Sequence, residues 1–177
     1  MIKPPREKFL PFSQPSIGPE EVEEVCKTLV TLWLTTGPKT RRFEELFQDY
    51  VGSRHAVAMS SATAGLHASL IAAGVGPGDE VITSPMTFCA TANVIVHCGA
   101  RPVFADVGED LNLDPGCVER KVTTRTKAII PVHHGGLPCE MDALIDIARR
   151  DGLTVIEDAA HALPARDYLR CHRRARR

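Results

Sequence analysis

The sequence predicts an α/β fold: a three-layer arrangement in which a mostly parallel sheet is covered by helices on both faces. Three observations carry the prediction. Five short apolar runs, "HAVAMS", "DEVITS", "RPVFAD", "KAIIPV" and "LTVIED", recur between residues 55 and 158. Helix-patterned stretches around residues 63–73, 88–97, 114–121 and 140–150 separate them, which is the rhythm of βαβ units. The chain of 177 residues is 44% hydrophobic and 24% charged, the balance of a soluble globular protein. A domain of about 150 residues can hide roughly 70% of the surface its unfolded form exposes, so a real core is expected.

The elements follow in order. After a proline-punctuated lead-in, "IGPEEVEEVCKTLVTLWL" sets Val22, Val25, Cys26, Leu29, Val30 and Trp33 at helical spacing and predicts an amphipathic helix. "TTGPK" breaks it at Gly37 and Pro38; Phe43, Leu46, Phe47 and Tyr50 then mark a second short helix that Gly52 ends. From His55 onward the strand and helix alternation takes over. Residues 1–165 are expected to form one domain unit, and residues 166–177 an arginine-rich tail, disordered.

Charge and cysteine usage narrow the function classes. The net charge is -1, yet residues 166–177 carry six arginines and one acid, leaving the rest of the chain acidic. Clustered arginines can neutralise phosphates, but one tail without aromatics on an acidic body argues against a nucleic-acid partner. No apolar run approaches the roughly 20 residues that cross a bilayer, and "MIKPPREKFLPFSQP" lacks the apolar centre of a signal peptide, so a cytoplasmic protein without membrane contact is expected. Six cysteines, Cys26, Cys89, Cys98, Cys117, Cys139 and Cys171, form no C-x-x-C pair. Free thiols are expected, with neither a zinc site nor a disulfide framework.

Ligands of open α/β sheets sit at the carboxyl ends of the strands, which singles out three junctions. "MSSATAGLHASL" passes from strand to helix through small residues, where free amides at a helix N-terminus can take a phosphate; Ser61 or Thr63 as an ordinary N-cap is the blander reading and the one spacing favours. "SPMTFCATANVIV" opens a helix with Phe88, either a core aromatic or a face for a flat heterocycle. "VIEDAAHA" sends Val155 and Glu157 to one face of a strand and Ile156 and Asp158 to the other. Asp158 then either caps the next helix or faces a pyridine nitrogen, whose protonation makes the ring an electron sink. His161 is either structural or a hydrogen-bond partner of a phenolic oxygen or of the Asp158 carboxylate itself. A Rossmann oxidoreductase is excluded for want of a glycine fingerprint.

Together the junctions supply a phosphate cradle, a stacking ring and a carboxylate on one rim, as pyridoxal 5'-phosphate (PLP) requires. The stretches "PFSQPSIG", "WLTTGPKTRRFEELF", "AVAMSSATAGLHASL", "GPGDEVITSPMTFCATANVI", "GARPVFADV", "TKAIIPVHHGGLPCEMDAL" and "VIEDAAHA" resemble the DegT/StrS-type family of sugar aminotransferases, from Phe9 to about Ala165. "WLTTGPK", "SSATAG" and "PVHHGGLP" look most like the members that make UDP-4-amino-4-deoxy-arabinose for lipid A modification. The resemblance implies a PLP enzyme of fold type I, a homodimer in the family, in which glutamate gives its amino group to a nucleotide-linked keto-sugar for polysaccharide biosynthesis. It assigns the cofactor phosphate to the backbone at Ala62, Thr63 and Ala64, ring stacking to Phe88, the pyridine nitrogen to Asp158 and the ring oxygen to His161.

The same resemblance requires a Schiff-base lysine after the aspartate, and all six lysines, Lys3, Lys8, Lys27, Lys39, Lys121 and Lys127, precede Asp158. Lys121 and Lys127 flank the start of "AIIPV", which places them at the amino-terminal end of the sheet, so no residue is assigned a catalytic role. His172 is not assigned the lysine's role, and His133 and His134, after "AIIPV", are read as cleft-lining or structural residues without metal binding. After Ala165 the wording departs from the family, so the chain reads as an N-terminal fragment of the large domain, incomplete at its C-terminus and without turnover. A reading-frame shift is the favoured explanation, ahead of a genuinely short paralogue. Two later strands would separate "HAVAMS" from "LTVIED" in the family's sheet; without them "HAVAMS" has no neighbour, and marginal stability is expected. The alternative function is a non-catalytic remnant that binds PLP, phosphate or a partner.

Overall fold

The computed structural model describes Phe9, residues 14–163 and Ala165; the arginine-rich stretch 166–177 lies outside the described residues. The chain divides after Ala58 into two compact units. The first carries two helices, α1 (Pro19–Thr31) and α2 (Pro38–Val51). Both begin with a glycine in extended conformation followed by proline at the first helical position, where the missing N–H costs nothing. Glu21 turns back to accept the Gly18 amide at 2.6 Å. Gly52, at φ 67°, ends α2 in the left-handed region that glycine adopts without strain. Lys39 ties the two helices together through Glu24, Nζ to Oε2 at 2.7 Å. The amphipathic α1 that the spacing predicts is present, but neither helix buries a residue; Leu29 is 54% exposed.

The second unit is the α/β layer structure. Its elements are α3 (Ala62–Ala72), β1 (Glu80–Thr83), α4 (Ala90–His97), β2 (Arg101–Phe104), α5 (Pro115–Glu119), β3 (Thr126–Ile130), a 3-10 turn (His134–Gly136), α6 (Met141–Asp151) and β4 (Thr154–Val155). The strands lie in the order β2-β1-β3-β4, every pair parallel, with Val81 opposite Pro102 and Ala128, and Ala128 opposite Thr154. Pro102, which has no amide hydrogen to donate, is tolerated because β2 is at the end of this sheet.

Strand alternation distributes the core. Val81, Ala128 and Ile130 join Leu66, Leu70, Val94 and Ile95 from α3 and α4 on one face. Ile82 and Ile129 join Val118, Met141, Leu144 and Ile147 from α5 and α6 on the other. The alternation continues into β4, whose Val155 packs toward the α6 side and Ile156 toward the α3 side. Beyond its two ladder residues, pairing with the β3 side persists through Ile156 N–H to the Ile129 carbonyl at 3.0 Å and Asp158 N–H to the Pro131 carbonyl at 2.9 Å.

One expected strand is corrected. "HAVAMS" forms no strand: residues 55–60 are outside every ladder among the described residues. The physical reason is the expected lack of a neighbour: a strand exists only through its pairing, and residues 55–60 take part in none of the described ladders.

Candidate active site

The topology sets the rim. α3 leads into β1 and α4 leads out of it, so both helices run against the strand and present their N-termini at the carboxyl end of the sheet. They lie side by side on one face. At the start of α3, Ser61 is the N-cap, and its hydroxyl accepts the Ala64 amide at 3.2 Å. The ordinary cap favoured by spacing is therefore present, and it occupies one of the three expected phosphate donors. Ala62 and Thr63, both exposed, keep amides that no helical carbonyl can reach.

Phe88 sits on the loop between β1 and α4. Ser84 shapes that loop by accepting the Met86 amide at 2.9 Å. The ring is 75% exposed, which removes the core reading for this aromatic. The Phe88 carbonyl accepts the Thr91 amide at 3.2 Å, and Thr91 Oγ1 lies 3.2 Å from the same oxygen.

Asp158 lies just past β4, held by backbone pairing on both sides: its N–H to Pro131 and its carbonyl to the His133 amide at 3.2 Å. The carboxylate is buried, with 8% of the residue exposed. Oδ2 accepts the Thr91 hydroxyl at 2.8 Å and Oδ1 accepts the Ala160 amide at 3.3 Å. Of the two expected readings of this acid, the structure shows the local one: Asp158 organises the following turn through Ala160, while its other carboxylate oxygen faces α4. Glu157, on the opposite face, pairs with His133, Oε2 to Nε2 at 3.0 Å.

The turn that carries His161 rests on the loop after β3. Gly136, at φ 89°, approaches it so closely that a Cβ there would lie 2.8 Å from the His161 carbonyl oxygen. The imidazole of His161 is exposed. The loop is fixed from its other side by Asn112, a buried residue whose Nδ2 donates to the Leu137 carbonyl at 3.2 Å and whose Oδ1 accepts the His134 amide at 3.0 Å.

His133 is the electrostatic centre of this loop. The Cys139 side chain and the Glu157 carboxylate push its pKa up from 6.5 to about 9. The Cys139 amide, aimed at Nδ1 from 3.2 Å, acts in the opposite sense, since it favours the neutral ring with its proton on Nε2.

The structure joins Phe88 and Asp158 through Thr91, places Ala62–Ala64 at the same end of the sheet by topology, and sets His161 on the adjoining turn. Thr91, Asn112 and Gly136 were not singled out by sequence reasoning. Thr91 had a signal, a hydroxyl in the apolar stripe it shares with Val94 and Ile95. Lys127 is the second residue of β3, and Lys121, two residues before the Thr123 that bonds Glu80 at the start of β1, also lines an open hollow of about 480 Å³ with Pro85 and Asp106. The hollow contains none of the six expected site residues.

A parallel sheet thus carries a buried acid and an exposed aromatic at its carboxyl rim. The chain belongs to the DegT/DnrJ/EryC1/StrS aminotransferase family, whose sequence profile matches residues 15–170. It is 57% identical over 159 residues to the spore coat polysaccharide biosynthesis protein SpsC of Bacillus subtilis, a match that covers 89% of this chain and 41% of SpsC. The aminotransferase of Psychrobacter cryohalolentis is similar with a TM-score of 0.84 and 39% identity, over 88% of this chain and 40% of that one. NtdA of Bacillus subtilis, solved with bound cofactor PMP, is similar with a TM-score of 0.80 and 34% identity, over 87% of this chain and 37% of that one. The chain thus spans about two fifths of the length of the relatives it matches.

Proposed function

We propose that this chain supplies the cofactor-binding part of a PLP-dependent aminotransferase that acts on a nucleotide-linked keto-sugar, with glutamate as amino donor. The observation that carries the reading is the Phe88–Thr91–Asp158 connection, an aromatic face and a carboxylate held by one residue at one rim. The donor set fits the cofactor part by part. Amides at Ala62 and Thr63 suit a phosphate dianion at a positive helix end. Phe88 suits a flat ring, Asp158 a ring nitrogen that carries a proton, and His161 a ring oxygen. When bound, the cofactor supplies an electron sink that labilises the bond at the amino carbon.

The chain's own share of the chemistry is binding and orientation. Asp158 holds a proton on the ring nitrogen, Phe88 fixes the ring plane, and the α3 end neutralises the phosphate. All six lysines precede Asp158, so the proton-moving lysine that the family's chemistry requires is not assigned here. The likeness to a spore coat polysaccharide protein supports a polysaccharide building block as the product. The narrower UDP-pentose reading rests on "WLTTGPK", "SSATAG" and "PVHHGGLP". A homodimer and an intracellular setting belong to the same proposal.

Calorimetric titration of the chain with pyridoxamine 5'-phosphate and with unphosphorylated pyridoxamine tests the reading. Binding that needs the phosphate and that weakens in Asp158→Ala and Phe88→Ala is expected. Equal affinity for the two compounds, or binding indifferent to both substitutions, overturns it.

A further inference from the structure

We propose that Thr91 is a positioning residue that sets the Asp158 carboxylate and the Phe88 backbone in one fixed relation. This proposal rests on the cofactor reading above and extends it to a residue outside the expected site.

Thr91 is fully buried, on the first turn of α4, yet it is polar. Its hydroxyl has one hydrogen and three neighbours: Asp158 Oδ2 at 2.8 Å, Thr87 Oγ1 at 2.7 Å and the Phe88 carbonyl at 3.2 Å. A carboxylate is the strongest acceptor of the three, so the Thr91 hydrogen goes to Asp158. Thr87 then donates its own hydrogen to Thr91 Oγ1, and the hydroxyls form a directed chain from Thr87 through Thr91 to Asp158.

The Thr91 amide independently holds the Phe88 carbonyl at 3.2 Å. One residue therefore fixes both the loop under the exposed ring and the acid 67 positions away in sequence. With Thr91 on Oδ2 and the Ala160 amide on Oδ1, each carboxylate oxygen holds one donor and keeps room for another. A carboxylate constrained in this way stays aimed before any ring arrives, which lowers the ordering cost of binding.

Thr91→Val, which keeps the volume and removes the hydroxyl, and Thr91→Ser, which keeps the hydroxyl, separate positioning from packing. Two readouts on the full chain decide. Without ligand, the Asp158 side-chain carboxyl carbon shift in NMR moves in Thr91→Val and stays in place in Thr91→Ser. With pyridoxamine 5'-phosphate, Thr91→Val binds about tenfold more weakly, the scale expected for one hydrogen bond to a charged group, and Thr91→Ser restores most of the affinity. An unmoved carbon shift in Thr91→Val, or a serine variant no better than valine, overturns the proposal. Should the wild-type chain fail to bind pyridoxamine 5'-phosphate, the cofactor reading falls, and the carbon shift alone decides the role of Thr91.

Discussion

The imidazole of His133 and the carboxylate of Glu157 meet at 3.0 Å, joining the loop after β3 to the strand that delivers Asp158. The His133 side chain is 6% exposed and that of Glu157 39%, so solvent screens the pair from one side. The Cys139 side chain and Glu157 together raise the His133 pKa from 6.5 to about 9 on folding, so the stabilisation is complete below pH 6.5 and is lost as the pH climbs toward 9. At about 1.4 kcal/mol per unit the ceiling is on the order of 3 kcal/mol, and the opposing Cys139 amide keeps the effect below it. Urea unfolding of the wild type is expected to weaken across that interval, and His133→Gln to flatten the dependence. Parallel profiles for the two proteins would contradict this role.

Gly136→Ala is expected to destabilise the second unit by about 1–3 kcal/mol. Two causes act together: a left-handed φ of 89°, and a Cβ 2.8 Å from the His161 carbonyl oxygen. Amide hydrogen exchange around residues 159–162 would report it, with faster exchange there than in α6. Unchanged exchange would show that the turn moves aside freely.

Two apolar truncations should behave differently although each removes a branched side chain. Ile129 is fully buried between β1 and α6, and Ile129→Ala is expected to cost about 2–5 kcal/mol through lost burial and a residual cavity. Leu29 is 54% exposed on α1, and Leu29→Ala should change stability by less than about 0.5 kcal/mol. Urea midpoints of the two variants give the comparison; similar losses would show that α1 has a covered face.

Glu80, buried at the start of β1, is bonded by the Thr123 hydroxyl at 2.6 Å and the Arg125 guanidinium at 2.7 Å. These partners hold its carboxyl below the ordinary 4.5, so its contribution is present above that pH and is lost as the pH falls through the lower folded value. Glu80→Gln should leave a chain that is less stable at neutral pH and loses less on acidification. An acid-unfolding curve that coincides with wild type would refute the assignment.

Much of this was legible in the sequence because it follows from period and punctuation. The alternation of Val155, Ile156, Glu157 and Asp158 through and just past β4 needs only the two-residue repeat of an extended chain. The ends of α2 follow from Pro38 and Gly52. What stayed hidden depends on distant pairing. Thr91 reads as an ordinary helix residue until Asp158 is brought against it, and Gly136 reads as loop glycine until the His161 turn closes over it.

Two adjacent carboxylates leave β4 in opposite directions, one committed to His133 and the other to Thr91. Deleting or inserting a single amino acid between Gly152 and Glu157 would exchange their destinations, sending Glu157 toward α4 and Asp158 toward the histidine. The count of residues in this short run is therefore as much a determinant of the site as their chemical identity, and substitutions there should be tolerated far better than changes of length.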